Sequence, residues 1–222
     1  MNDLNKTYSS QIEDLLIRHL LPYDYGHYVD VGAFHPVKQS NTYSLYLRGW
    51  DGVLIEPQPA YTRLLREHRP RDICVEKAVS DTPGQQTMRL WWGASSLEAS
   101  WPIPEQTPDG DPVGTMNVET DTLAAILYDH ATVRDRCDLC SIDVEGFEAQ
   151  VIRSIDFTTF RPALFVIESV EWKSLRKTHR DWEPTLLEHG YEFATDNYAN
   201  RFYFRSERQD IRTRLNQLDN KP

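Results

Sequence analysis

The sequence predicts an α/β protein built on an open, mostly parallel sheet with helices on both faces and an antiparallel hairpin at the chain's end. Three observations carry this. Short apolar runs alternate with helix-patterned segments along the 222 residues, the order that builds parallel sheets from crossover units. Three of those runs close on an acid followed by turn residues, at Asp30, Glu56 and Asp143. The last two runs, Tyr191 to Thr195 and Arg201 to Phe204, are joined by Asp196 to Asn200, which is hairpin length and too short for a parallel crossover.

The elements follow in order. Ile12, Leu15, Leu16 and Leu20 recur at helical spacing before Pro22, so residues 1–22 contain a leading helix that the proline stops. His27 to Val31 is a strand, Gly32 to Pro36 a turn, and Ser40 to Arg48 a helix ended by Gly49. Gly52 to Glu56 reads as a buried strand feeding a helix over Ala60 to His68, and Ile73 to Val79 as a third strand. Residues 86–114 then break the alternation. Thr87 to Trp92 is strand-like and Thr107 to Gly114 is rich in Pro, Gly and Asp, which predicts an excursion over one end of the sheet.

Thr115 to Thr120 resumes an extended pattern, and Asp121 to Tyr128 is helical with Thr120 or Asp121 as the expected cap. Leu139 to Asp143 and Ala163 to Glu168 are further apolar strands, and Trp182 to His189 is a helix closed by Gly190. Residues 207–222 form a charged surface helix or tail. One domain is the expectation at this length.

Composition narrows the function classes. Apolar residues at 40% and charged residues at 26% are ordinary globular usage, so disordered and fibrous classes fit poorly. Acids outnumber bases 34 to 24, for a net charge of -10, and no basic stripe runs along the chain. Nucleic-acid binding is therefore not expected, since it relies on clustered cations that displace counterions. No run reaches the roughly 18–20 apolar residues of a membrane span, and Met1 to Ser10 is polar, unlike a secretory signal.

With an odd number of cysteines, Cys74, Cys137 and Cys140, a reduced, cytoplasmic setting is expected. Cys137-x-x-Cys140 is half of a zinc or redox motif without a second half, so buried thiols are the expectation. A homo-oligomer is compatible with all of this.

Open α/β sheets bind ligands beyond the carboxyl ends of their strands, which directs attention to the terminal acids. Asp30 precedes Gly32, whose missing side chain lets backbone approach a ligand closely. Glu56 ends the next strand, near the offset at which an acid accepts both hydroxyls of a ribose. Asp143, Glu145 and Glu148 crowd one turn beside Gly146. Like charges that close raise one another's pKa, which suits proton abstraction or cation binding.

The ordered set Tyr28-Val29-Asp30-Val31-Gly32-Ala33, Ser40-Asn41-Thr42, Gly49 through Pro57, Thr120-Asp121-Thr122-Leu123 and Ser141-Ile142-Asp143-Val144-Glu145-Gly146-Phe147-Glu148 resembles the FkbM family of S-adenosylmethionine-dependent methyltransferases. The resemblance spans Tyr28 to Glu168. It implies the class I methyltransferase fold, a seven-stranded sheet, and S-adenosylmethionine as cofactor. It further implies that Asp30, Gly32 and Ala33 line the methionine end, that Ser40, Asn41, Pro57 and Asp143 belong to the cofactor site, that Glu56 binds the ribose, and that Ala78, Val79 and Asp81 lie near the adenine.

Asp143 and Glu145 would face the reaction centre, where the acceptor is a hydroxyl of a sugar or glycan-like small molecule. One departure is the bulky Phe34-His35-Pro36 after Gly-Ala, where the family usually carries Asn and then a glycine-bearing turn.

An alcohol acceptor needs a base, and Asp143, Glu145, Glu168 and His35 are the candidates at this mouth of the sheet. Asp143, Glu145 or Glu168 also offer the oxygen ligands that a divalent cation prefers. Trp92, Ser95 and Ser96 lie in a stretch of aromatics, small residues and hydroxyls that suits a sugar-binding lid running on to Trp101. A dinucleotide-dependent oxidoreductase is the runner-up, disfavoured by the missing Gly-x-Gly-x-x-Gly turn. A catalytically silent cofactor-binding domain is the third reading.

Overall fold

The computed structural model describes residues 6–91, 94–106, 113–171 and 173–219. Helix α1 (Glu13–Leu20) leads into β1 (His27–Val31), α2 (Tyr43–Tyr46), β2 (Asp51–Ile55), α3 (Pro59–His68) and β3 (Ile73–Val75). Then come β4 (Ala78–Val79), β5 (Gly84–Arg89), β6 (Thr115–Asp121), α4 (Leu123–Tyr128), α5 (Ala131–Asp135), β7 (Cys137–Ile142) and α6 (Glu148–Arg153). The chain closes with β8 (Leu164–Glu168), α7 (Glu183–Glu188), β9 (Tyr191–Asp196), β10 (Asn200–Arg205) and α8 (Gln209–Asp219).

Seven strands form the main sheet in the order β3-β2-β1-β7-β8-β10-β9. The first five run parallel, and β10 is antiparallel to both β8 and β9. This is the class I methyltransferase arrangement, hairpin included. Strands buried on both faces read as continuous apolar runs, and two core layers account for that. Val29, Val31, Val53, Ile55, Cys140 and Ile142 pack on one face, and Tyr28, Leu54, Leu139, Leu164 and Val166 on the other, the alternation a pleated strand imposes.

Strand order reverses between β1 and β7, which pair side by side. The ends of these two strands, Val31 and Ile142, thus open the crevice where ligands of such sheets bind.

Three expected elements differ. The helix over Ser40 to Arg48 shrinks to one turn, α2, because Ser40 and Thr42 put their hydroxyls into a polar cluster instead of continuing a helix. The strand over Ile73 to Val79 divides: β3 pairs with β2, while β4 joins β6 and β5 in a separate three-stranded sheet. The cap of α4 is Thr122, whose hydroxyl accepts the Ala125 N–H at 3.1 Å, one or two residues later than Thr120 or Asp121. Residues 107–112 of the excursion lie outside the described residues.

Cys74, Cys137 and Cys140 are all free thiols. Cys137 and Cys140 are buried, and burial pushes both thiols up, leaving them unreactive packing groups. No helix among the described residues is long and apolar enough to cross a membrane.

Candidate active site

Gly32 starts the loop after β1 with φ +81°, and a Cβ there would run into the carbonyl oxygen of Asp143. The Asp143 N–H in turn donates to the Val31 carbonyl at 3.0 Å. The two strand ends therefore interlock through backbone, and only glycine permits it. Phe34 also takes a left-handed conformation, φ +45°. That turn aims its N–H at Glu56 Oε2, 3.0 Å away, and packs its ring on Tyr61 at 4.3 Å between centroids.

Glu56 is 4% exposed and its other oxygen accepts the Gln58 N–H at 2.9 Å. Burial outweighs both bonds and pushes its pKa to about 7.

Two cavities meet at this crevice and share a wall of Gly32, Phe34, Asp143 and Glu145. The first, about 550 Å³ and open to solvent, is lined by Val31, Ile55, Pro57, Ala78, Val79 and Met88, with Glu56 as an acid among them. The second, about 780 Å³, is polar and is lined by Ser10, Glu13, Gln39, Asn41, Glu168 and Asn200. An apolar cleft with few fixed polar groups is the usual form of a cofactor site.

The carboxylates around the shared wall divide by role. Glu148, at the start of α6, accepts the Val144 and Gly146 N–H groups at 3.2 and 3.1 Å and so holds the turn that presents its neighbours. Glu145 is in a left-handed conformation, φ 55°. Its Oε2 accepts the Trp101 indole N–H at 2.9 Å and its backbone carbonyl accepts the Ser96 hydroxyl at 2.6 Å. Gly146 has φ +95°, and a Cβ on it would strike the Trp101 ring. Residues 95–101 are thereby latched across the Glu145–Gly146 turn.

Asp143, Glu145 and Glu168 each bring a carboxylate oxygen within 4.8 Å of the others. Desolvation raises all three, to about 6 for Asp143, about 9 for Glu145 and well above the carboxylate range for Glu168; like charge adds to it from Asp30 at Asp143 and from Asp143 at the other two, while a hydrogen bond with Glu168 pulls Asp143 part of the way back. At neutral pH Asp143 is the one in its proton-accepting form.

Trp101→Phe deletes the latch bond and leaves the packing. We expect it to cost about 1 kcal/mol of stability and to speed proteolytic cutting of the 86–114 segment. Unchanged melting and cutting rates would remove the latch.

Most cofactor positions inferred from sequence gather at the apolar cleft: Gly32, Glu56, Pro57, Ala78, Val79 and Asp143 line it, as does Ser95. Asn41 lines the polar cavity and donates to the Ser141 hydroxyl at 3.1 Å. Asp30, Ala33, Ser40 and Asp81 line neither. Asp30 accepts the Thr42 hydroxyl at 2.6 Å, beside a buried Arg69 that bonds Asp72 and Tyr28, both at 2.7 Å. Ser40 belongs to that same cluster, and Asp81 pairs with Arg153 at 2.7 Å.

His35 lines neither cavity, and its Nδ1 accepts the Val37 and Lys38 N–H groups, both at 3.1 Å, so it closes its own loop. Ser96 is a latch residue, and Trp101, 3% exposed, presents no free face to a sugar. Trp92 lies outside the described residues. Sequence reasoning missed Glu13 and Asn200. Both reach the polar cavity from the chain's opposite ends, and no local motif marks them.

The family model described as "Methyltransferase FkbM domain" matches residues 30–193. The chain belongs to the FkbM methyltransferase family. Its cofactor is S-adenosylmethionine, and the oxidoreductase reading falls with that membership. The cleft of this FkbM methyltransferase fits the cofactor: apolar walls from Val31, Ile55, Ala78 and Val79, with a buried acid, Glu56, among them.

Two solved structures are similar in fold to this FkbM methyltransferase. One is a TehB-like SAM-dependent methyltransferase from Corynebacterium glutamicum, 12% identical, covering 89% of each chain with a TM-score of 0.49. The other is a precorrin-6y C5,15-methyltransferase from Geobacter metallireducens, 12% identical, covering 91% of this chain and 94% of that one with a TM-score of 0.41. No curated protein matches in sequence.

Proposed function

We propose that this methyltransferase methylates a hydroxyl oxygen of a sugar or glycan-like acceptor held in the polar cavity, with Asp143 as base. The observation that carries the reading is the shared wall: Asp143 lines both the apolar cofactor cleft and the polar cavity. A donor in one and an acceptor in the other would meet at that carboxylate. The polar cavity suits a polyhydroxylated molecule, since hydroxyl, amide and carboxyl groups from Ser10, Glu13, Gln39, Asn41 and Asn200 surround it.

S-adenosylmethionine supplies, when bound, a methyl group on a positively charged sulfur. Glu56 would accept the ribose hydroxyls, while Gly32 lets the loop backbone close on the cofactor. The acceptor hydroxyl gives its proton to Asp143. The acceptor oxygen would take the methyl group that the sulfonium supplies, the electron pair of the S–CH₃ bond going back to sulfur. Alignment of donor and acceptor supplies much of the acceleration of such an in-line displacement. Burial, with the Asp30 and Glu13 carboxylates adding like charge, holds Asp143 above the ordinary carboxylate range and makes it the stronger base.

The test is a transfer screen with radiolabelled cofactor over glycans, nucleotide sugars and amines, with the methylated atom assigned by mass spectrometry. Label on carbohydrate oxygen supports the reading; label only on nitrogen, carbon or a non-carbohydrate acceptor overturns it.

A pH prediction follows from Glu56. Its pKa near 7 in the free protein means that ribose hydroxyls donating to it favour the ionised form, so binding draws the proton off. Affinity for S-adenosylhomocysteine should rise by up to about tenfold from pH 6 to pH 8 and then level off. Calorimetric titration in buffers of different ionisation enthalpy checks both the trend and the released proton. A flat profile removes the role of the charge.

A further inference from the structure

The sheet has a second opening, at the edge where its parallel strands begin. A cavity of about 690 Å³ lies there, lined by His27 at the start of β1, by Cys137 and Asp138 at the start of β7, and by Arg136, Arg161 and Arg205. It shares no lining residue with the two cavities of the active site. Strand β1 is five residues long, so about 15 Å of sheet separates this opening from Gly32 and Asp143.

Three arginines meet here although the chain carries a net charge of -10. The Arg205 N–H donates to the Ala163 carbonyl at 3.1 Å, which sets the end of β10 beside the entry to β8, two residues beyond Arg161. Arg136 arrives from the joint between α5 and β7. Among the described residues, Arg136 and Arg205 make no ion pair and no side-chain hydrogen bond. Arg161 gives one terminal nitrogen to Glu207 at 3.2 Å and to the His189 carbonyl at 3.3 Å. Its Nε, like the Nε of Arg205, is a buried donor with no acceptor. A buried donor left unpaired costs its desolvation in full, so two in one cavity call for an acceptor from outside the chain.

The acids on the wall do not fill that need. Asp135 pairs with Arg134 at 2.8 Å. Asp138 is drawn inward, its Oδ2 accepting the His27 N–H at 3.2 Å and lying where a Cβ on Gly26 would come within 2.7 Å. Burial also pushes the Asp138 carboxyl up, which favours its neutral form.

We propose that Arg136, Arg161 and Arg205 bind the phosphate group of a small phosphorylated molecule, in a second site separate from methyl transfer. A phosphate ester presents three strong acceptor oxygens, enough for both Nε donors and for Arg136 together, and guanidinium forks match its geometry. A carboxylate has two oxygens and leaves one arginine unserved. Tyr25, 81% exposed, lines the same opening and offers a ring face to the organic part of such a molecule.

The experiment is calorimetric titration of the full chain in phosphate-free buffer, with S-adenosylhomocysteine saturating the cofactor cleft. The probes are inorganic phosphate, a ribose phosphate and adenosine monophosphate. We expect one phosphate group per chain, bound at least tenfold more weakly by Arg205→Ala and by Arg136→Ala, and more weakly at high salt. Arg136 is exposed, so that variant should keep the wild-type melting temperature, and retained S-adenosylhomocysteine binding shows either variant to be folded.

An ester that binds more tightly than inorganic phosphate, with the margin lost in Tyr25→Ala, identifies the organic part that Tyr25 receives; absence of any margin assigns the site to inorganic phosphate. No binding of the three probes up to about 10 mM, weaker than any specific site, overturns the proposal, as does undiminished binding by both arginine variants. Binding seen only when S-adenosylhomocysteine is left out places the anion in the cofactor cleft and overturns the second site.

Discussion

Replacing Asp143 with Asn is expected to lower the methyl-transfer rate by about 10²–10⁴-fold, the span attributed to a positioned general base. The substitution keeps shape and hydrogen-bonding capacity and removes the ability to take a proton. The backbone contacts of residue 143, its N–H to Val31 and its carbonyl against Gly32, do not depend on the side chain. The fold and the cleft should therefore persist, and affinity for S-adenosylhomocysteine should change by less than about threefold, under 1 kcal/mol. Rate and binding measured on the same preparation separate these outcomes. A variant retaining more than about a tenth of the wild-type rate would show that the proton leaves by another route.

Glu56→Ala is expected to weaken S-adenosylhomocysteine binding by about 10–100-fold. Hydrogen bonds to a charged group contribute about 1.5–3 kcal/mol, and this carboxylate is the acid in an otherwise apolar stretch of cleft. The same change also strips the Phe34 and Gln58 N–H groups of their acceptor, so part of the loss comes from a looser loop. Glu56→Gln separates the two, since its amide oxygen can still receive one N–H. An affinity that falls with Ala and recovers with Gln assigns the effect to loop geometry, whereas equal loss in both assigns it to charge. Unchanged affinity in both variants removes Glu56 from the cofactor site.

Much of this site was legible in the sequence because sheet topology does the placing. An acid at the end of an apolar run lands at the sheet's mouth whatever the loops do, and that holds for Glu56, Asp143 and Glu168. What failed to be legible depended on contacts between distant segments. Asp30 looks like Glu56 in sequence, yet pleating turns it to the face that carries Arg69 and Asp72, where Thr42 claims it. Trp101 reads as a sugar platform until Gly146 and Glu145 are seen to seat it from 45 and 44 positions away.

Ile73 to Val79 is one apolar stretch by composition, but β3 and β4 answer to different partner strands, and pairing is not written in a strand's own residues. Glu13 and Asn200 meet only because α1 and the final hairpin flank the same opening.

The contact between Gly32 and the carbonyl of Asp143 ties two tasks that are often separable. The loop that would receive the donor and the residue that would take the acceptor's proton touch through backbone, with no side chain between them to flex. A displacement of either by a few tenths of an ångström is felt directly by the other, as in any close-packed interior. Donor occupancy and base alignment then rise and fall together. With the acceptor in the polar cavity, as proposed, a change of acceptor would be expected to rework the outer residues Ser10, Gln39 and Asn41 and to leave the seam from Val31 to Asp143 in place.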